Sequence, residues 1–335
     1  MKRNRFIHTV CLLLPLAPLS AAEARPPNIL HIHADDHRAD GLHALGNDLL
    51  KTPHLDTLVE RGMTFRHCYT MGSMKGAVCL PSRTMLLTGK SWLRIPESAA
   101  GEASLTLPKV LSAAGYETFH VGKSGNEYKT GIRAFDTNLV IDDRGPELRR
   151  GCSERHADAT LKFLKERARD KPFYIYFAPP VPHDPRVAAP DFHKLYDPAK
   201  VPLPAAFLPQ HPWDNGEMTV RDEQLAPWPR TPADTKQQLA DYYACVTGID
   251  HHIGRVFEQL KAMGEWENTI RGALLGSFSR SFLSHSRWVS PTMNELCMPL
   301  SSPATVFILC IGVMRRAVQK SRSTTLMSTT KCTPL

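Results

Sequence analysis

The 335-residue chain contains no Cys-x-x-Cys pair, no aspartate beyond Asp250, and no apolar run long enough to cross a bilayer. Each absence narrows what the protein can be. Eight cysteines without paired spacing give no sequence case for a zinc module or a dithiol redox pair. The apolar stretches Val10–Leu19 and Ala304–Met314 reach about half of the ~20 residues that a helical span requires. A basic domain face is missing too, although the net charge is +8. Residues 1–24 carry +2 and residues 271–335 carry +7, which leaves the body, 25–270, at −1. A nucleic-acid partner is therefore not expected.

What is present begins with an export signal. Lys2, Arg3 and Arg5 precede the apolar run Val10–Leu19, and Ala22-Glu23-Ala24 offers a small-x-small cleavage site. The expectation is a signal peptide over 1–24 and a mature periplasmic or extracellular chain from about Arg25, with no stable membrane span. The body then alternates β-prone and helical segments. Strands are expected at Ile29–His33, Met63–Tyr69, Tyr116–Val121 and Phe173–Ala178. Helices are expected at about 53–61, 81–88, 107–114, 153–169 and 234–263. Such alternation predicts an α/β fold with a mostly parallel central sheet covered on both faces. A proline-rich excursion over 179–232 interrupts the rhythm and is expected to shape a substrate cleft.

The end of the chain breaks the pattern. Asn268-Thr269-Ile270 reads as entry to another strand, yet the strand is not expected to continue. Residues 271–335 hold one Glu, no Asp and eleven serines, with no persistent period. Two readings stand, a basic Ser/Thr-rich tail or a frameshifted coding segment. The second is favoured because the break falls inside an element rather than at a linker.

One local string concentrates chemistry: Cys79-Leu80-Pro81-Ser82-Arg83-Thr84-Met85-Leu86-Leu87-Thr88-Gly89. It sets a thiol just before a helix that Pro81 can start and Gly89 can stop. A helix N-terminus is an anion site, and Arg83 adds a fixed charge about one turn in. On these grounds alone Cys79 reads either as a reactive low-pKa thiol or as a buried structural cysteine. Asp35-Asp36, at the carboxyl end of the first strand, reads either as a hard-cation pair or as a helix-capping loop. His183, in Pro182-His183-Asp184-Pro185, by itself reads as a solvated loop histidine.

The Cys79 string resembles the signature of the sulfatase family, C-x-P-S-R-x-x-L-x-T-G, and further matches extend from Pro27 to Ile270. The resemblance implies an alkaline-phosphatase-like α/β sandwich, cut short on its C-terminal side. It implies that a formylglycine-generating enzyme oxidises Cys79 to formylglycine before folding. The aldehyde hydrate of that residue would attack the sulfur of a sulfate ester with one hydroxyl and release sulfate through the other, a covalent mechanism. Asp35, Asp36 and the modified Cys79 would hold Ca²⁺ or Mg²⁺, Arg83 would polarise the formylglycine, and Lys123 would grip sulfate oxygens. His183 would contact the sulfate and help protonate the leaving alcohol. The substrate implied is a sulfated small molecule or carbohydrate.

This sequence also departs from that pattern. Gly125 stands where the family places a histidine after the Gly-Lys pair, and residues 271–335 offer no Asp to complete the cation site. A second sulfate-binding lysine and the family's C-terminal subdomain are not expected in residues 271–335. Impaired catalysis is the resulting expectation. Two alternatives remain, a phosphoester or phosphonate hydrolase of the same superfamily and a catalytically dead fragment.

Overall fold

The computed structural model describes residues 25–275, apart from 39, 66–78, 96–104, 124–128, 142–151, 211 and 214–225. The signal segment 1–24, Gly125, and the chain beyond Leu275 therefore lie outside the described residues.

Five strands form one sheet: β1 (Asn28–Ala34), β2 (Glu117–Lys123), β3 (Thr137–Ile141), β4 (Phe173–Ala178) and β5 (Thr269–Leu275). The order is β3-β2-β4-β1-β5, and every pairing is parallel. Among the described residues seven α-helices accompany it: α1 (Pro53–Arg61), α2 (Cys79–Thr88), α3 (Leu107–Ala113), α4 (Lys129–Ile132), α5 (Cys152–Glu166), α6 (Pro190–His193) and α7 (Pro232–Ala262).

Side chains alternate along a strand, and here the alternation separates two kinds of interior. Leu30, Ile32, Phe119, Val121, Phe173, Ile175 and Phe177 join the apolar core that α1, α5 and α7 cover. The alternate positions carry Tyr174 and Tyr176, which pack with Leu87 of α2, Ile132 of α4 and Phe135, bordered by Leu107 and Leu111 of α3. The α7 side is a hydrocarbon core. The α2 side is polar and aromatic, and the chemistry lies there.

Helix ends follow local chemistry. Thr231 accepts from Asp234 N at 3.1 Å and starts α7, with Pro232 as its first residue. At α1 no local side chain caps the helix. The Asp250 carboxylate of α7 supplies the acceptor from afar, taking N–H bonds from Leu55 at 2.7 Å and His54 at 3.3 Å.

Several expectations need correction. The strand expected to break off at Ile270 runs on to Leu275, in full parallel register from Asn28↔Thr269 to Ala34↔Leu275. The neighbouring β1 supplies backbone partners whatever the side chains are, so Arg271 and Gly272 are held in a conformation they disfavour alone. Helix α2 begins at Cys79 rather than Pro81, so the thiol is part of the first turn. Of the strand expected at 63–69, Met63–Phe65 form none, and the rest lies outside the described residues. β3 and α4 carry no clear periodic signal and were not expected. The division into 1–24, 25–270 and 271–335 stays an expectation.

Candidate active site

A parallel sheet brings all its carboxyl ends to one edge, and that edge assembles the residues singled out above. Asp35 and Asp36 follow β1, Lys123 ends β2, and His183 lies five residues past β4. Cys79 and Arg83 arrive from the first turns of α2. Asp35 pairs with Lys123 and Arg83, Asp36 lies 3.6 Å from His183, and the Cys79 sulfur is within 4.8 Å of ligand atoms of Asp35 and His183.

Asp35 is the hub. Its side chain is fully buried, yet Lys123 Nζ pairs with Oδ2 and Arg83 Nη2 lies 3.4 Å from Oδ1. Burial opposes ionisation, but Lys123, Arg83 and His183 outweigh it and hold the carboxyl well below the usual range. Lys123 is likewise pushed down by burial and raised on balance by Asp35. Gly122, just before that lysine, is dictated by space. A Cβ there would lie 2.5 Å from His120 Nε2 and 3.2 Å from the Ala178 carbonyl oxygen.

Cys79 does not behave as a helix N-terminus suggests. Burial pushes its thiol well above the ordinary value, and Asp35 and Asp36 push it further, against Lys123 and Arg83. Of the two readings of Cys79, burial and the two nearby carboxylates favour the buried cysteine over a low-pKa thiolate. One ligand atom each from Asp35, Cys79 and His183 lies within 4.8 Å of the others.

His183 is oriented by its neighbour, with Nδ1 2.7 Å from the Asp184 carbonyl oxygen and 3.2 Å from Asp184 Oδ1. That contact leaves Nε2 turned to Asp36 Oδ2 at 3.6 Å. Asp36 adopts φ 59°, a left-handed conformation, and Tyr242 of α7 clamps the turn. The Tyr242 hydroxyl donates to Asp36 O at 3.0 Å and accepts from Arg38 N at 2.7 Å.

Beneath Arg83 lies a layer that the sequence reading passed over. Arg83 Nη1 donates to the Tyr176 hydroxyl at 3.3 Å, and His33 Nδ1 lies 2.9 Å from the same oxygen. His120 packs tilted on Tyr176, with ring centroids 5.3 Å apart, and bonds Asn138 Oδ1 through Nδ1 at 2.7 Å. Burial lowers the pKa of His120 to about 4 and that of His33 well below its ordinary value, so both rings are neutral. The signal that could have found this layer is the alternation His31/His33 and Tyr174/Tyr176 in strands that otherwise read as apolar. Among the described residues no helix is long and apolar enough to cross a membrane.

The donor chemistry suits a hard divalent cation in part. Asp35 and Asp36 give two carboxylates, where Ca²⁺ takes about six to eight oxygens. An oxygen in place of the Cys79 sulfur would improve the match.

Comparison with known proteins places these residues in context. Residues 27–270 match the family described as Sulfatase. An N-acetylglucosamine-6-O-sulfatase of Bacteroides thetaiotaomicron is 25% identical over 86% of this chain and 66% of its own length. A solved structure described as in complex with its substrate D-glucosamine-2-N,6-O-disulfate superposes with a TM-score of 0.55 at 22% identity, covering 75% of this chain and 65% of that one. The phosphonate monoester hydrolase of Agrobacterium radiobacter gives a TM-score of 0.58 at 17% identity over 74% of this chain and 62% of its own. These solved structures share the alkaline-phosphatase-like α/β fold. The chain spans about half to two thirds of the length of the curated relatives it matches. With its match covering residues 27–270, the chain belongs to the sulfatase family.

Proposed function

We propose that this protein is a sulfuric ester hydrolase acting through a formylglycine made from Cys79 and a divalent cation, Ca²⁺ or Mg²⁺. The observation that carries the reading is the buried thiol at the first turn of α2, grouped within 4.8 Å of ligand atoms of Asp35 and His183. The modified residue supplies a hydrated aldehyde as nucleophile, and a bound cation supplies Lewis-acid stabilisation of charge on the sulfate. The remaining work belongs to the side chains in hand. Asp35 and Asp36 would hold the cation, with Tyr242 keeping their turn in shape. Arg83, braced by Tyr176, places positive charge beside residue 79. Lys123 is positioned to exchange its contact with Asp35 for a sulfate oxygen once a cation neutralises that carboxylate. His183 keeps Nε2 toward the site through its contact with Asp184, which suits proton delivery to a departing alcohol.

A sulfated carbohydrate is the proposed substrate class, supported by the sugar-sulfate chemistry of the relatives' names. Export by the 1–24 signal and modification by a formylglycine-generating enzyme complete the proposal. Sulfate and phosphate esters share a tetrahedral centre, and the phosphonate hydrolase neighbour shares the fold, so aryl phosphate is the control substrate. The deciding experiment is mass spectrometry of the peptide carrying Cys79 after co-expression with the modifying enzyme. The aldehyde mass is expected, and a persistent thiol would remove the mechanism.

A further inference from the structure

We infer that the unmodified chain, with Cys79 still a thiol, carries a mononuclear site for a borderline-soft divalent metal of the Zn²⁺ type, built from Cys79, His183 and Asp35. This goes beyond the sulfatase reading and does not depend on it. Three features carry it, and the three ligands come from separate chain segments. The ligand atoms lie within 4.8 Å of one another, so small shifts bring them to a common centre. Sulfur, imidazole nitrogen and carboxylate oxygen together form a donor set suited to Zn²⁺ and poorly suited to Ca²⁺ or Mg²⁺. The third feature lies outside the ligands themselves. His183 already gives Nδ1 to the Asp184 carbonyl at 2.7 Å, the outer contact that fixes which nitrogen faces a metal.

Asp35 is engaged by Lys123 and Arg83, and this does not exclude a third cation. An ionised carboxylate offers about four lone-pair sites, and the two basic groups approach different oxygens. Charge balance favours the thiol form. Binding displaces the Cys79 proton to solvent, and the resulting thiolate joins Asp35 and Asp36 against Lys123, Arg83 and the metal. Formylglycine brings no such charge and presents oxygen instead. The oxidation state of residue 79 would then decide which class of metal the same pocket prefers, and three protein ligands leave an open position.

The test uses the full chain expressed without the modifying enzyme, with the thiol confirmed by mass. Co²⁺ serves as the spectroscopic probe and Zn²⁺ and Ca²⁺ as competitors. One equivalent of Co²⁺ should give a thiolate-to-metal charge-transfer band, bleached by Zn²⁺ and untouched by an equal concentration of Ca²⁺. Cys79→Ser should lose the band, although the other seven cysteines remain. His183→Asn should weaken Co²⁺ binding at least tenfold while circular dichroism stays unchanged. A band that survives in Cys79→Ser, or no band with one equivalent of Co²⁺, overturns the proposal. The formylglycine form, tested in parallel, should give no such band.

Discussion

Lys123 and Asp35 meet across the full width of β4, the ammonium at the end of β2 against the carboxylate at the end of β1. The lysine is 7% exposed and the aspartate fully buried, so neither charge has bulk water as an alternative partner. Removing one member of such a pair costs more than the pair contributes, because a charge is left in low dielectric. Lys123→Met should destabilise the fold by about 3 kcal/mol in urea denaturation. Added Ca²⁺ should raise the midpoint of the variant more than that of the parent, since a cation replaces the lost ammonium. The pH dependence has a definite sign. The folded carboxyl of Asp35 ionises below its unfolded value of about 3.9, so its contribution is present above that pH and lost as pH falls. An equal Ca²⁺ response in both proteins would show that the lysine and the cation do not share Asp35.

Tyr242 offers a subtler probe of the same turn. Its hydroxyl serves both Asp36 O and Arg38 N while the ring stays buried in the α7 core. Tyr242→Phe keeps the ring and should cost about 1–3 kcal/mol by thermal denaturation. The positive φ at Asp36 would then be less firmly imposed, so divalent-cation affinity should fall as well. Destabilisation without any change in cation affinity would confine Tyr242 to packing.

Asp250 should make stability fall as pH rises. Burial lifts its pKa to about 7, against the N–H bonds from Leu55 and His54 that favour the carboxylate. The folded pKa exceeds the unfolded value of about 3.9, so protonation favours the folded state. Its stabilisation is complete below about pH 4 and lost between there and about 7. Melting temperatures across that window should decline through this group, and Asp250→Asn should flatten the profile by keeping a neutral acceptor for Leu55 N. An unchanged slope in the variant would assign the dependence elsewhere.

Turnover of a generic aryl sulfate with Ca²⁺ should be weak in this chain even after formylglycine formation. The carboxylates proposed as cation ligands are Asp35 and Asp36, a small part of a calcium shell. A loss of ~4 kcal/mol in transition-state stabilisation corresponds to about three decades in rate. Activity far above a Cys79→Ala control would mean that other residues complete the cation site.

The coding DNA offers the most economical check on the end of the chain. Codons for Arg271 through Phe278 permit, one nucleotide later, the reading Val-Val-Leu-Phe-Ser-Asp-His. That string is a better buried parallel strand than the one present, and it ends in the missing aspartate. In β5 the register described ends with Leu275 level with Ala34, one residue before Asp35. The present strand instead buries Arg271, whose guanidinium stacks 3.6 Å from the Trp266 ring centroid and donates to the Trp266 carbonyl. Sequencing across codon 270 should show this shifted reading. A gene without it would make the tail a natural divergence.

Local chemistry made much of this protein legible. The helix stops, the β-prone runs of β1 and β4, and the Cys79 string were readable because each depends on neighbours along the chain. Asp35, Asp36, Arg83, Lys123 and His183 were named from motifs, and a parallel sheet had to bring strand ends to one edge. β3 was not readable, since as an edge strand it buries too little to show a period.

Other properties belong to tertiary structure alone. Spacing along the chain gave no reason to expect a soft-metal site, yet Cys79, His183 and Asp35 converge from α2, the segment after β4 and the end of β1. Of the two readings left open for Cys79, the buried one fits better, because burial first and then Asp35 and Asp36, distant in sequence, raise its thiol pKa. Tyr176 and Tyr242 acquired roles from partners that no local pattern names. Sequence by itself determined which groups were available and on which faces they would lie, through periodicity and turn chemistry. Burial and long-range electrostatics decided their charge states and partners, because both depend on atoms that only folding brings within a few ångströms.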